Sequence, residues 1–119
     1  MSAVPDTVAV RPSEPESLDR ATVVAVDGDG SVIGRAALSR LYGLRAEIDL
    51  ELAPTATIAL ALIDALERAA RSRRLLRLEL DATALAEPTV QALRRWRSVI
   101  DERRGSHLYL TWPITLVAQ

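Results

Sequence analysis

Few residues in this chain could do chemistry. Its 119 residues contain no Cys, no Lys and no Asn, and His107 is the single histidine. Without Cys there is no thiol nucleophile, no disulfide framework and no cysteine zinc site. Without Lys there is no Schiff-base amine and no Walker-type phosphate lysine. A Ser-His-Asp triad would have to run through His107, which stands beside Ser106 at the head of the last strand-like segment. As a lone histidine it reads as structural or surface-exposed. The carboxylates offer more. Glu47, Asp49 and Glu51 alternate with Ile48, Leu50 and Leu52, which puts three acidic groups on one face of a strand. Asp27 and Asp29 belong to a turn, where Asp is favoured for backbone reasons. No spacing among Asp27, Asp29, Asp49 and Glu51 sets up a calcium or octahedral loop, so no metal site is read.

The elements that must position these groups follow from the pattern. Ala21–Asp27 is rich in β-branched residues and runs into Gly28-Asp29-Gly30, a hairpin turn signal, with Ser31–Ser39 as the return strand. Gly34 within that strand marks a bulge or a close backbone approach. A turn at Tyr42-Gly43 leads to the acidic strand Ala46–Leu52. Pro54-Thr55-Ala56-Thr57 then supplies helix-start chemistry, and Ile58–Arg74 is a helix apolar on more than one side, ending in Arg68, Arg71, Arg73 and Arg74. Leu75–Leu80 is a strand whose leucines place it centrally, so Ile48–Leu80 is a βαβ unit with parallel strands. A second helix starts at Glu87-Pro88-Thr89, shows an apolar face of Val90, Leu93, Trp96 and Ile100, and ends at Gly105-Ser106. The chain closes with a strand, His107–Val117, placed at an edge or bent by Pro113. The order β-β-β-α-β-α-β is an α/β (α+β) sandwich with a mixed, mostly antiparallel sheet of about five strands and two main helices.

Composition bounds the rest. The chain is 49% hydrophobic and 26% charged, a balance suited to one globular domain. Fifteen basic residues against sixteen acidic ones leave a net charge of −1, which argues against a nucleic-acid binder. Charges interrupt every apolar run, so no membrane span is expected. Residues 1–20 hold Pro5, Pro12 and Pro15 with no apolar stretch, and read as a flexible Pro-rich leader rather than a signal peptide, before a single domain over 21–119. The expected location is the cytoplasm, and the exclusive use of Arg suggests a GC-rich, bacterial coding source. A second arginine strip, Arg94, Arg95, Arg97, Arg103 and Arg104, reads as a solvated helix face. Trp96 and Trp112 read as core or interface anchors.

The run VVAVDGDGSVIGRAAL, then RAEIDLEL, then IALALIDALERAARSRRLLRLELDA resembles the GNAT superfamily of N-acetyltransferases over roughly residues 21–112. The resemblance implies a splayed strand before the first helix and a helix N-terminus that holds the diphosphate of acetyl-CoA. Carried onto this chain, that places the cofactor along Leu50, Leu52, Thr55, Thr57, Ile58 and Ala59, with Glu47 or Glu51 as the base that takes a proton from an amine. The family's phosphate loop falls on Pro54, Thr57 and Ala59, of which only Ala59 conforms. Ala86 or Glu87, Leu93 and Arg97 stand where Asn, Tyr and Gly are usual. The resemblance therefore implies a degenerate or truncated member with weak or absent acyl transfer to an amine, binding acetyl-CoA or no cofactor. One alternative is a non-catalytic interaction domain forming a homodimer or meeting a protein partner through the last strand or the Trp-bearing helix. The other is a STAS-type regulatory domain, suggested by RLLRLELDATAL, with Thr83 or Thr89 as phosphoacceptor.

Overall fold

A computed structural model describes residues 9–13, 20–40 and 43–114. Its elements are β1 (Ala9–Pro12), β2 (Arg20–Val26), β3 (Val32–Arg40), β4 (Arg45–Leu52), α1 (Ala56–Ser72), β5 (Arg77–Asp81), α2 (Glu87–Trp96), β6 (Ile100–Arg104) and β7 (His107–Pro113). They build one mixed sheet of seven strands in the order β1-β2-β3-β4-β5-β7-β6. β4 and β5 are the parallel pair and α1 crosses between them, as the βαβ reading requires. The other pairs are antiparallel.

Alternation assigns the two faces. Ala46 and Ile48 of β4, Leu78 and Leu80 of β5, and Leu110 and Trp112 of β7 join Leu62, Ile63 and Leu66 of α1 and Val90 and Leu93 of α2 in one core. Both helices thus cover the same side of the sheet. Glu47, Glu79 and Thr111 lie side by side in register on the other face. Thr55 caps α1, its hydroxyl accepting from the Ile58 amide at 3.1 Å. Gly34 is placed by contact: a Cβ there would lie 2.7 Å from Ile58 Cγ2 and 3.2 Å from Leu62 Cδ1. Only a glycine lets β3 approach the first turns of α1 so closely. A register shift between Ala25 and Val26 beside it adds a bulge, so both readings of Gly34 apply.

Four expectations change. The sheet has seven strands instead of about five, because Ala9–Pro12, placed within the leader, pairs with β2, and Ile100–Arg104 is a strand. The rest of the leader, residues 1–8 and 14–19, lies outside the described residues, as does Tyr42. α2 ends at Trp96, not at Gly105. Arg97 turns to extended backbone (φ −133°, ψ 157°) and its side chain swings onto Glu67 of α1. Ile100 is consequently 56% exposed on β6 instead of on a helix face. Gly105-Ser106 is the hairpin turn between β6 and β7, with Gly105 at φ 62°. β7 is not an edge: β5 flanks it on one side and β6 on the other, and Pro113 pairs at its end. That placement takes the last strand out of use as a dimer edge. Finally, Leu52 is 45% exposed, since the end of β4 leaves the core.

Candidate functional site

The departure of β4 creates the site. β4 and β5 pair through Ile48 and Leu80, and no pairing joins them beyond that point among the described residues. On its other side β4 stays bound to β3, but Arg35 faces Leu52 while Ala36 faces Leu50, so Glu51 is the extra residue of a bulge. A bulge bends its strand and adds twist, and here it accompanies the separation of β4 from β5. The gap is a cleft of about 520 Å³, lined among others by Glu47, Asp49, Leu50, Asp81, Thr83 and His107.

Glu47 faces the cleft half-buried. Partial burial first, then the carboxylates of Glu79, Asp81 and Asp49, hold its carboxyl above the usual glutamate range, against the pull of Arg104. Glu79, with its side chain 2% exposed, is ion-paired with Arg45 at 3.0 Å and with Arg104 at 2.5 Å. A neighbouring carboxylate fixed in this way makes a second charge at Glu47 harder to hold. Glu51 is not brought to the cleft: it is exposed on the bulge and ion-paired with Arg20 at 3.4 Å.

The residue that sequence reasoning set aside is His107. Its Nδ1 lies 2.7 Å from Asp81 Oδ2 on the cleft wall, so the histidine has a carboxylate partner 26 residues away. Thr83 completes the group. Its hydroxyl donates to Asp81 at 2.6 Å and accepts from the Leu108 amide at 2.9 Å. The Thr83 bonds first, then His107, hold Asp81 below the ordinary aspartate range. This is not a nucleophile triad. Thr83 Oγ1 and Asp81 both meet Nδ1, and the Thr83 contact is a long 3.4 Å. The anchored Nδ1 leaves Nε2 as the nitrogen available to a ligand. The signal in sequence was the strand pairing itself, which sets Asp81 beside Tyr109, two residues from His107. Of the residues singled out by the STAS-type reading, Thr83 is committed to this network and Thr89 is 4% exposed within α2.

The expected cofactor residues divide. Leu50 lines the cleft, and Leu52 stands exposed at the end of the bulged strand. Thr55, Thr57, Ile58 and Ala59 form the N-terminus of α1, where the amides of Ala56 and Thr57 precede the first helical bond. The Ile58 amide is closed by the Thr55 hydroxyl at 3.1 Å and the Ala59 amide by the Thr55 carbonyl at 3.0 Å. Pro54 has no amide to give, and no glycine opens the turn.

No protein-family model and no curated protein sequence matches the chain. Solved structures do. An N-acetyltransferase, PaiA, from Thermoplasma acidophilum in complex with coenzyme A is similar at a TM-score of 0.66 and 19% identity, over 80% of this chain and 61% of that one. A GNAT superfamily phosphinothricin acetyltransferase from Sinorhizobium meliloti, in complex with acetyl-CoA, is similar at 0.64 and 20%, over 80% and 61%. A nourseothricin acetyltransferase is similar at 0.65 and 21%, over 92% and 85%. The fold is the GNAT fold. Within it the described residues keep the parallel pair, the crossover helix and the strand splay, while the chain spans about three fifths of two of these relatives. No helix among the described residues is long and apolar enough to cross a membrane.

Proposed function

We propose that this GNAT-fold chain carries out weak acyl transfer from an acyl thioester to an amine in the cleft between β4 and β5. The observation that carries the reading is the splay itself. It opens an unpaired strand edge and a cavity beside two proton-accepting side chains, Glu47 and His107. A bound acyl thioester would supply an electrophilic carbonyl and a thiolate leaving group. Glu47, Asp49 and Asp81 draw a cationic amine to the cleft by charge. Glu47, raised by burial and by its neighbours, then takes the proton that the nucleophilic nitrogen must lose. Asp81 holds the His107 ring in place. The lack of a glycine from Pro54 to Ala59 and the capping of the Ile58 amide by Thr55 support a weak grip on acetyl-CoA and the degenerate reading of the family pattern.

Titration calorimetry with acetyl-CoA, followed by acetylation of a panel of amines, tests the reading. Expected are weak heat of binding and slow transfer that Glu47→Gln lowers. No heat at millimolar acetyl-thioester together with no transfer refutes it and favours the non-catalytic interaction or dimerisation domain. For that alternative the sheet edges are β1 and β6, not the last strand.

A further inference from the structure

Asp81, Thr83 and His107 are held more firmly than a cleft wall requires. The Thr83 amide and hydroxyl both donate to Asp81 Oδ1, at 3.0 Å and 2.6 Å, and the Leu108 amide donates to the same hydroxyl at 2.9 Å. That leaves Asp81 Oδ2 for His107 Nδ1 at 2.7 Å. These bonds favour the charged carboxylate, which accepts and does not donate. The neutral imidazole therefore carries its proton on Nδ1 and its lone pair on Nε2. The Tyr109 ring, its centroid 6.3 Å away and tilted by 41°, flanks the imidazole. With its side chain 53% exposed, His107 is open to solvent while it lines the cleft. A carboxylate behind an imidazole that meets water is the arrangement of a general base. The same bonds decide what it deprotonates. Thr83, the hydroxyl of the group, points its proton at Asp81 and sits on the Nδ1 side, so it is not the nucleophile. The partner for Nε2 is water.

We infer that the cleft has a second activity, hydrolysis of the acyl thioester, with His107 as the base and Asp81 as its positioning residue. This rests on the reading above that an acyl thioester enters the cleft, but it needs no amine. Nε2 takes a proton from water as the water oxygen bonds to the thioester carbonyl carbon. The C–S bond then breaks, and the proton passes from the imidazolium to the departing sulfur. One thioester and one water become one carboxylic acid and one thiol, with no further reactant. Glu47, Asp49 and Asp81 repel the acid once it ionises, which favours its exit.

Acetyl-CoA and S-acetylpantetheine, each incubated with the full chain in an amine-free buffer, test this through the release of thiol and acetate. Release above the buffer rate is expected, and His107→Gln, a change at an exposed side chain, should lower it by about 10²-fold. Asp81→Asn should lower kcat with KM little changed, because an amide that donates to Nδ1 moves the imidazole proton onto Nε2. The unaltered chain gives a further readout. With one histidine and neither Cys nor Lys, it should lose hydrolysis when diethyl pyrocarbonate modifies His107 and regain it with hydroxylamine. Amine acetylation without hydrolysis overturns the inference and leaves the transfer reading in place, as does hydrolysis that survives both His107→Gln and the reagent. An acyl group found on the protein by mass spectrometry overturns water as the nucleophile. Hydrolysis without amine acetylation overturns the transfer reading alone, and the absence of both reactions overturns both.

Discussion

Removing the Arg97 guanidinium should destabilise the domain far more than a substitution just past a helix end normally does. Glu67 lies inside α1 with its side chain 2% exposed. Its carboxylate accepts from Arg97 Nη2 at 2.7 Å, from Arg97 Nε at 2.9 Å and from Trp112 Nε1 at 2.9 Å. Arg97→Ala deletes two of those three bonds and leaves a buried charge with one neutral donor. Breaking a buried pair from one side costs about 3–5 kcal/mol, because the remaining charge stays desolvated. Loss of the guanidinium stacked 3.5 Å over the Trp96 ring adds about 0.5–1 kcal/mol. Urea unfolding followed by far-UV circular dichroism and tryptophan fluorescence measures the effect. With a slope of about 1–3 kcal/mol per molar, the midpoint should fall by at least about 1 M. The partner change discriminates the cause. In Glu67→Gln/Arg97→Ala the buried charge is gone and Trp112 keeps an acceptor, so the double variant should recover about 2–3 kcal/mol relative to Arg97→Ala. A loss below about 1 kcal/mol for Arg97→Ala, or simple additivity in the double variant, would refute the reasoning.

Gly34→Ala should cost about 1–3 kcal/mol by thermal melt, since its methyl meets Ile58 Cγ2 at 2.7 Å. Ile58→Ala should be much less harmful in that background than alone, and equal cost in both would contradict the contact. Arg74 closes α1 at φ 59°, with the Leu75 amide on the Ala70 carbonyl at 3.0 Å, the left-handed cap that glycine usually fills. Arg74→Gly should therefore stabilise by up to about 1 kcal/mol in urea unfolding, and a loss would contradict the strain. Glu47 has a folded-state carboxyl pKa above its ordinary 4.5, so between those two values the folded chain holds more proton than the unfolded one. Its contribution to stability falls as pH rises through that window. Glu47→Gln should accordingly melt higher than the parent at pH 7 and lose that advantage well below pH 4.5, and a lower melting point at pH 7 would contradict the burial and repulsion assigned to it.

Much of this protein was legible locally. The two-residue alternation of Glu47–Leu52 announced a strand with an acidic face, and Pro54-Thr55-Ala56-Thr57 before an apolar run announced a helix start. Pattern and order were also enough to point to the GNAT fold before any coordinates. β6 escaped because IDERR is polar on both faces, as an exposed edge strand tends to be, and such a run has no period to read. The leucine at 52 misled for a related reason: alternation says which face a side chain takes, but not where the core beneath that face stops.

The chain by itself determined most of its elements, the parallel crossover and the absence of a glycine turn for phosphate, since each is written in neighbours a few residues apart. Only the tertiary structure decided the chemistry. It took packing to set His107 against Asp81 across 26 residues, and Arg97 and Trp112 on Glu67 across 30 and 45. It took the register of three strands to make Glu51 a bulge and open the cleft beside Glu47. Sequence periodicity reports which side of an element is buried, whereas a site is made by side chains from different elements, and their separation is fixed by how those elements pack.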